Sequence, residues 1–161
     1  MTRTERLAKT FGGKIMAYKD LPIPAQLAIA HYMAIDGEAW TLPEIVTRDW
    51  SVRKLRRELP GFLPYFRAQY GKTKFGYVRI PTAALIEEIK RDAAYKEAGE
   101  PELFRDEPGF KIPKHPSTSR WPVILSDIND ETLQDGWHRL GAYYRQRARV
   151  VPAVYYPRCG Q

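Results

Sequence analysis

The chain of 161 residues reads as an α+β protein in which a mainly helical, basic region precedes a small mixed sheet with helices. Two observations predict this. Up to residue 75 the apolar residues recur mostly at helical spacing, whereas beyond it helical stretches alternate with short runs such as Val123-Ile124-Leu125 and Val150-Val151-Pro152-Ala153-Val154. The charge divides at the same place: residues 1–75 hold 13 Lys/Arg against 7 Asp/Glu, and residues 76–161 hold 13 against 12, within a net charge of +7. Residues 1–75 and 76–161 are therefore taken as two regions, and a chain of this size buries enough surface to fold without covalent staples.

The elements follow in order. Residues 1–20 are polar and interrupted by Gly12-Gly13, which predicts a loosely held arm. From Ile23-Pro24 the positions Leu27, Ile29, Ala30, Met33 and Ile35 follow a helical period that Gly37 ends. Thr41-Leu42-Pro43-Glu44 matches a capping box and starts a short second helix. Ser51 to Leu59 spaces Val52, Leu55 and Leu59 on one face, carries Arg53, Lys54, Arg56 and Arg57 elsewhere, and stops at Pro60-Gly61. The aromatic segments Phe62 to Arg67 and Phe75 to Ile80 read as two strands around a basic tip containing Lys72 and Lys74. Three helices and a basic hairpin resemble a winged helix-turn-helix, with Ser51 to Leu59 as recognition helix and Gly71 to Lys74 as wing tip. A helical cap with a solvated basic face has the same pattern.

Pro81-Thr82 starts a further helix, capped by Thr82, with Leu85, Ile86 and Ile89 buried and an end near Tyr95. Glu100 to Pro113 has neither hydrophobic period and reads as a long loop. Lys111 to Arg120 offers Lys114, Ser117, Thr118 and Arg120 as phosphate-compatible donors just before the apolar strand Trp121 to Leu125. A hairpin at Asp127 to Asp130 leads into Thr132-Leu133-Gln134, then into Asp135-Gly136-Trp137-His138-Arg139, an amphipathic helix and the last strand.

Several chemistries lack their residues. The one cysteine, Cys159, excludes an intramolecular disulfide and a thiolate cluster, which fits a reducing, cytoplasmic setting. The three histidines, His31, His115 and His138, have no metal-ligand spacing, so no metal site is expected. No apolar run approaches membrane-spanning length. Phosphate loops, dinucleotide fingerprints and nucleophile elbows are absent from the sequence.

The turn at Asp135 to Arg139 is the most informative segment. A glycine turn opening a helix leaves the first backbone N–H groups without intrahelical partners, a natural place for an anion. Gly136 lets the backbone approach closely, while His138 and Arg139 add an imidazole and a guanidinium suited to phosphate. Trp137 serves either as a stacking surface or as core, and Asp135 either as a general base or as a turn residue.

The order strand, hairpin, strand, Gly-X-His-Arg turn, helix, strand over Trp121 to Tyr156 resembles the ParB/sulfiredoxin-like superfamily, with Tyr77 to Ile89 as its first strand and helix. Asp135 to Arg139 matches the Asp-Gly-X-His-Arg turn of free-serine kinases and stand-alone ParB-like families. The resemblance implies a nucleotide, ATP or CTP with Mg²⁺, held at Gly136, Trp137, His138 and Arg139. Trp137 stands where sulfiredoxins carry their reactive cysteine, which excludes that chemistry. The resemblance further implies a phosphotransferase or nucleotide hydrolase with Asp135 as base. The basic first half supports a second reading, in which the ParB-like core is a scaffold and Arg53, Lys54, Arg56, Arg57, Lys72 and Lys74 grip DNA, RNA or a nucleoprotein. A phage-encoded regulator or defence inhibitor belongs to the second reading. The resemblance implies an origin in bacteria, phages or mobile elements, and a third reading keeps both regions as one fused domain whose surface recognises a protein partner.

Overall fold

The computed structural model describes residues 1–36, 50–92, 120–126 and 132–157. Five strands, β1 (Lys14–Ala17), β2 (Lys74–Pro81), β3 (Val123–Leu125), β4 (Leu133–Asp135) and β5 (Val150–Tyr155), form one mixed sheet in the order β1-β2-β5-β3-β4. Only β3 and β5 run parallel; the other neighbours are antiparallel. Helices α1 (Arg3–Thr10), α5 (Thr82–Lys90) and α6 (Trp137–Arg145) cover one face, and α2 (Ile23–His31), α3 (Val52–Glu58) and α4 (Leu63–Tyr70) the other. The chain is thus α+β, as its periodicities predict.

Strand alternation assigns the two cores. Val78 and Ile80 of β2, Val123 and Leu125 of β3, and Val151 and Ala153 of β5 face Ala8, Leu85, Ile89 and Leu140. Phe75, Ile124 and Val154 face Ala28, Leu59 and Phe66 on the opposite side. The helix α2 is apolar nearly all round because it lies inside this second core, and its one buried amide is fully used. Gln26 Nε2 donates to the carbonyls of Lys19 (3.1 Å) and Leu21 (2.9 Å), and Gln26 Oε1 accepts from Arg67 Nε at 2.7 Å.

Several expectations are corrected. Residues 1–20 form no loose arm: the Thr2 hydroxyl accepts from Glu5 N–H and the Glu5 carboxylate accepts from Thr2 N–H, a capping box that starts α1 ahead of β1. Phe62 to Arg67 is not a strand. Leu63 and Phe66 are buried one turn apart with Pro64 in the helix's first turn, where its missing N–H costs nothing. Gly71 to Lys74 therefore joins a helix to β2 and is no wing tip. Val52, expected in the core, is 49% exposed, while Leu55 and Leu59 are buried.

Thr82 does not cap α5 either. Its hydroxyl donates to the Ala148 carbonyl at 2.6 Å and its N–H to the Arg149 carbonyl at 2.9 Å, tying the helix start to the approach of β5. The helix ends at Lys90. The division at residue 75/76 falls inside β2, which pairs with β1 on one side and β5 on the other. The Thr41 to Glu44 capping box, the Glu100 to Pro113 loop and the Asp127 to Asp130 hairpin lie outside the described residues.

Candidate functional site

The Asp135 to Arg139 turn closes β4 and opens α6, with Gly136 at the N-cap in a left-handed conformation, φ 102°. Only glycine adopts this backbone at low cost, and the position is also crowded. A Cβ there would sit 3.1 Å from Val123 Cγ1 and 3.3 Å from the Arg139 guanidinium. Arg139 has folded back over the turn that precedes it.

That guanidinium is built in. Its Nη2 donates to Asp135 Oδ2 at 2.7 Å, its Nη1 donates to the Pro122 carbonyl, and its Cζ lies 5.9 Å from the centre of the Trp121 ring. The side chains of Arg139 and Asp135 are 10% and 28% exposed. Burial lowers the Arg139 pKa, opposed chiefly by the Asp135 carboxylate. One turn on, the Tyr143 hydroxyl donates to the Trp121 carbonyl at 3.0 Å, and burial pushes it up to about 12. Asp135, Arg139 and Tyr143 thus occupy i, i+4 and i+8 along α6 and its entry, with Arg139 and Tyr143 donating to the carbonyls just before β3 and Asp135 holding Arg139.

The other half of the cluster comes from the N-terminal helices. The His31 ring meets Trp121 edge-on at 5.8 Å, and His31 Nε2 accepts from Arg56 Nε at 3.1 Å. Burial, then the Arg56 and Arg139 charges, push the His31 pKa down to about 4, so the imidazole is neutral at pH 7. Accepting at Nε2 leaves its proton on Nδ1. The Arg56 guanidinium from α3 thus bonds the neutral imidazole, and the Arg139 guanidinium from α6 shares the Trp121 ring with it, with Asp135 the one carboxylate that contacts either arginine among the described residues.

The sequence-derived site residues are distributed unevenly. Gly136, Arg139 and Asp135 are together, and Arg139 engages Asp135 as a partner. Trp137 is half-buried and packs against the α1/α5 core, so its ring is core material; His138, beside it, is exposed in the first turn of α6. Arg120 is exposed at the turn before Trp121, and Lys114, Ser117 and Thr118 lie outside the described residues. Arg53, Lys54 and Arg57 are exposed on α3, with Lys54 Nζ 4.7 Å from the Trp50 ring centre, and Lys72 and Lys74 are exposed before and at the start of β2. Arg56 departs from that outward set by turning to His31.

His31, Trp121 and Tyr143 escaped the sequence reading. The i, i+4 spacing of Asp135, Arg139 and Tyr143 was a usable signal, but nothing local connects His31 to Trp121 across ninety positions of chain. Among the described residues no group of three or more His, Cys, Asp or Glu side chains is placed to hold a metal ion. Among them, too, no helix is long and apolar enough to cross a membrane. Comparison of the chain with protein-family models, with curated proteins and with solved structures finds no match.

Proposed function

We propose that the protein binds a phosphorylated small ligand, ATP or CTP with its Mg²⁺, at the start of α6. The observation that carries this reading is that Arg56, through His31, and Arg139, directly, converge on the Trp121 ring from opposite halves of the chain, beside a glycine turn that opens a helix. The roles within the site are sharpened relative to the motif alone. Arg139 is a positioning residue, since Asp135 and the Pro122 carbonyl take two of its donors and its side chain is largely buried. Direct contact falls to the backbone N–H groups of the first turn, to the exposed His138, and to the outer donors of Arg56. The resemblance to ParB-like and free-serine-kinase turns supports the same assignment. Mg²⁺ would arrive on the phosphates and neutralise them; phosphoryl transfer or hydrolysis is the reaction class that such binding serves.

Calorimetric titration of ATP, CTP, GTP and ADP with Mg²⁺ tests this. At least one nucleotide is expected to bind, and Arg56→Ala or His138→Ala to weaken it ~10- to 100-fold, as loss of one charge-assisted hydrogen bond of about 1.5–3 kcal/mol requires. Failure of all four to bind sinks the reading.

A second reading is favoured by α3, which exposes Arg53, Lys54 and Arg57 while Leu55 is buried. That row suits the phosphate backbone of DNA or RNA. In gel-shift titrations the triple Ala variant at these positions is expected to bind nucleic acid more weakly and with a shallower salt dependence. Unchanged affinity and salt slope would remove it.

A further inference from the structure

A cavity of about 280 Å³ lies between α2 and the sheet, at the end where β3 and β5 finish and β2 begins. Tyr32, Phe75 and Tyr156 give it aromatic sides, and Ile29, Ile124 and Val154 an apolar floor. Ser126 and Gln134 are the polar residues at its edge. Three independent features of the backbone meet there. First, β3 and β5 are the parallel pair of the sheet, and their last residues, Leu125 and Tyr155, both line the cavity; carboxyl ends of parallel strands are the common ligand crevice of α/β sheets. Second, α2 passes into a π-helical turn over Tyr32–Asp36, a rare geometry concentrated at functional sites, and Tyr32 and Met33 of that turn line the cavity. Third, the β3–β4 register shifts from Leu125↔Leu133 to Ile124↔Asp135, which makes Gln134 the extra residue of a bulge.

We infer that this cavity is a nucleobase site. Its volume falls at the small end for ligand pockets, enough for a planar ring system and too little for a whole nucleotide. The aromatic sides suit stacking, which holds any base, and Tyr156, 57% exposed, stands at the mouth. Gln134 carries a donor and an acceptor on one amide, the pairing that matches the edge of an adenine-like heterocycle, and Ser126 adds a hydroxyl. An alkyl chain would fill the floor but make no use of the Gln134 amide at the edge. Ile124 is three residues from Trp121, ~10 Å if the chain is extended, a separation within the reach of one nucleotide whose phosphates sit at the Arg56/Arg139 cluster. That linkage, and only that, rests on the phosphate reading above.

The test titrates the full-length protein with phosphate-free adenosine, guanosine, cytidine and uridine, and separately with pyrophosphate and with decanoate. At least one nucleoside is expected to bind saturably. Gln134→Leu is expected to weaken it ~10-fold or more, Tyr156→Ala at the exposed mouth several-fold, and neither to alter pyrophosphate binding. Nucleoside binding without pyrophosphate binding upholds the base site and overturns the phosphate site. No nucleoside binding, binding indifferent to both substitutions, or saturable decanoate binding that both substitutions weaken overturns the base site.

Discussion

Gly76 stands directly opposite Tyr155 in the β2–β5 ladder, and the phenol ring lies across it: a Cβ at residue 76 would come within 2.0–2.4 Å of the ring carbons. The glycine is there for space, because the tyrosine fills the gap that a missing side chain leaves. Gly76→Ala is expected to cost about 1–3 kcal/mol in a urea melt through displacement of the ring, and to perturb the adjoining cavity that Tyr155 lines. His31 makes a pH-dependent contribution. Its pKa is 6.5 when unfolded and about 4 when folded. Between those values the unfolded chain binds more protons, so stability is fully present above pH 6.5 and falls as pH drops towards 4, by about 3 kcal/mol in total. Urea midpoints measured from pH 7.5 to 4.5 are expected to decline in the wild type and to decline less in His31→Gln. Equal slopes in the two proteins would show that the imidazole is not buried as a neutral acceptor.

Among the elements, α1 shows how a short helix is held in place. Arg3 donates to the Asp92 carboxylate and to the Thr132 hydroxyl, and pairs with Glu88 at 3.3 Å. Asp92 is buried after the end of α5 and accepts from the Thr132 N–H and hydroxyl, both at 2.8 Å. One carboxylate therefore joins α1, α5 and the approach to β4. Asp92→Ala leaves the Thr132 N–H without an acceptor while Arg3 keeps Glu88, and a loss of about 1–3 kcal/mol is expected from thermal and urea melts; unchanged stability would contradict the assignment. The helix α4 shows the limit of composition as a guide. Its aromatic residues favour strands, but the Leu63, Phe66, Tyr70 spacing is helical, and the core between α2 and the sheet selects the period over the propensity.

For the whole molecule the sheet is the unit. The edge strand β1 and helix α1 come from the first twenty residues, yet they close the side of β2 and cover the face that α5 and α6 share. A fragment of residues 76–161 keeps β3, β4 and β5 but loses β1, the start of β2 and every helix of the α2 face. It is expected to be unfolded or aggregated when expressed alone, with collapsed amide dispersion in NMR spectra, whereas the full chain gives one cooperative transition. A well-dispersed spectrum from the fragment would show that the second region folds by itself.

Local pattern determined much of this protein. The α+β class, the helices over α2, α3, α5 and α6, and the strands β2, β3, β4 and β5 followed from period, and the glycine turn before α6 followed from the residues themselves, because each depends on neighbours a few positions away. Tertiary structure decided the rest. The edge position of β1, the helical state of Leu63 to Tyr70, the inward turn of Arg56 to His31, and the cavity behind Gln134 depend on surfaces brought together from distant parts of the chain. Burial and long-range pairing act between residues that no sequence window holds at once.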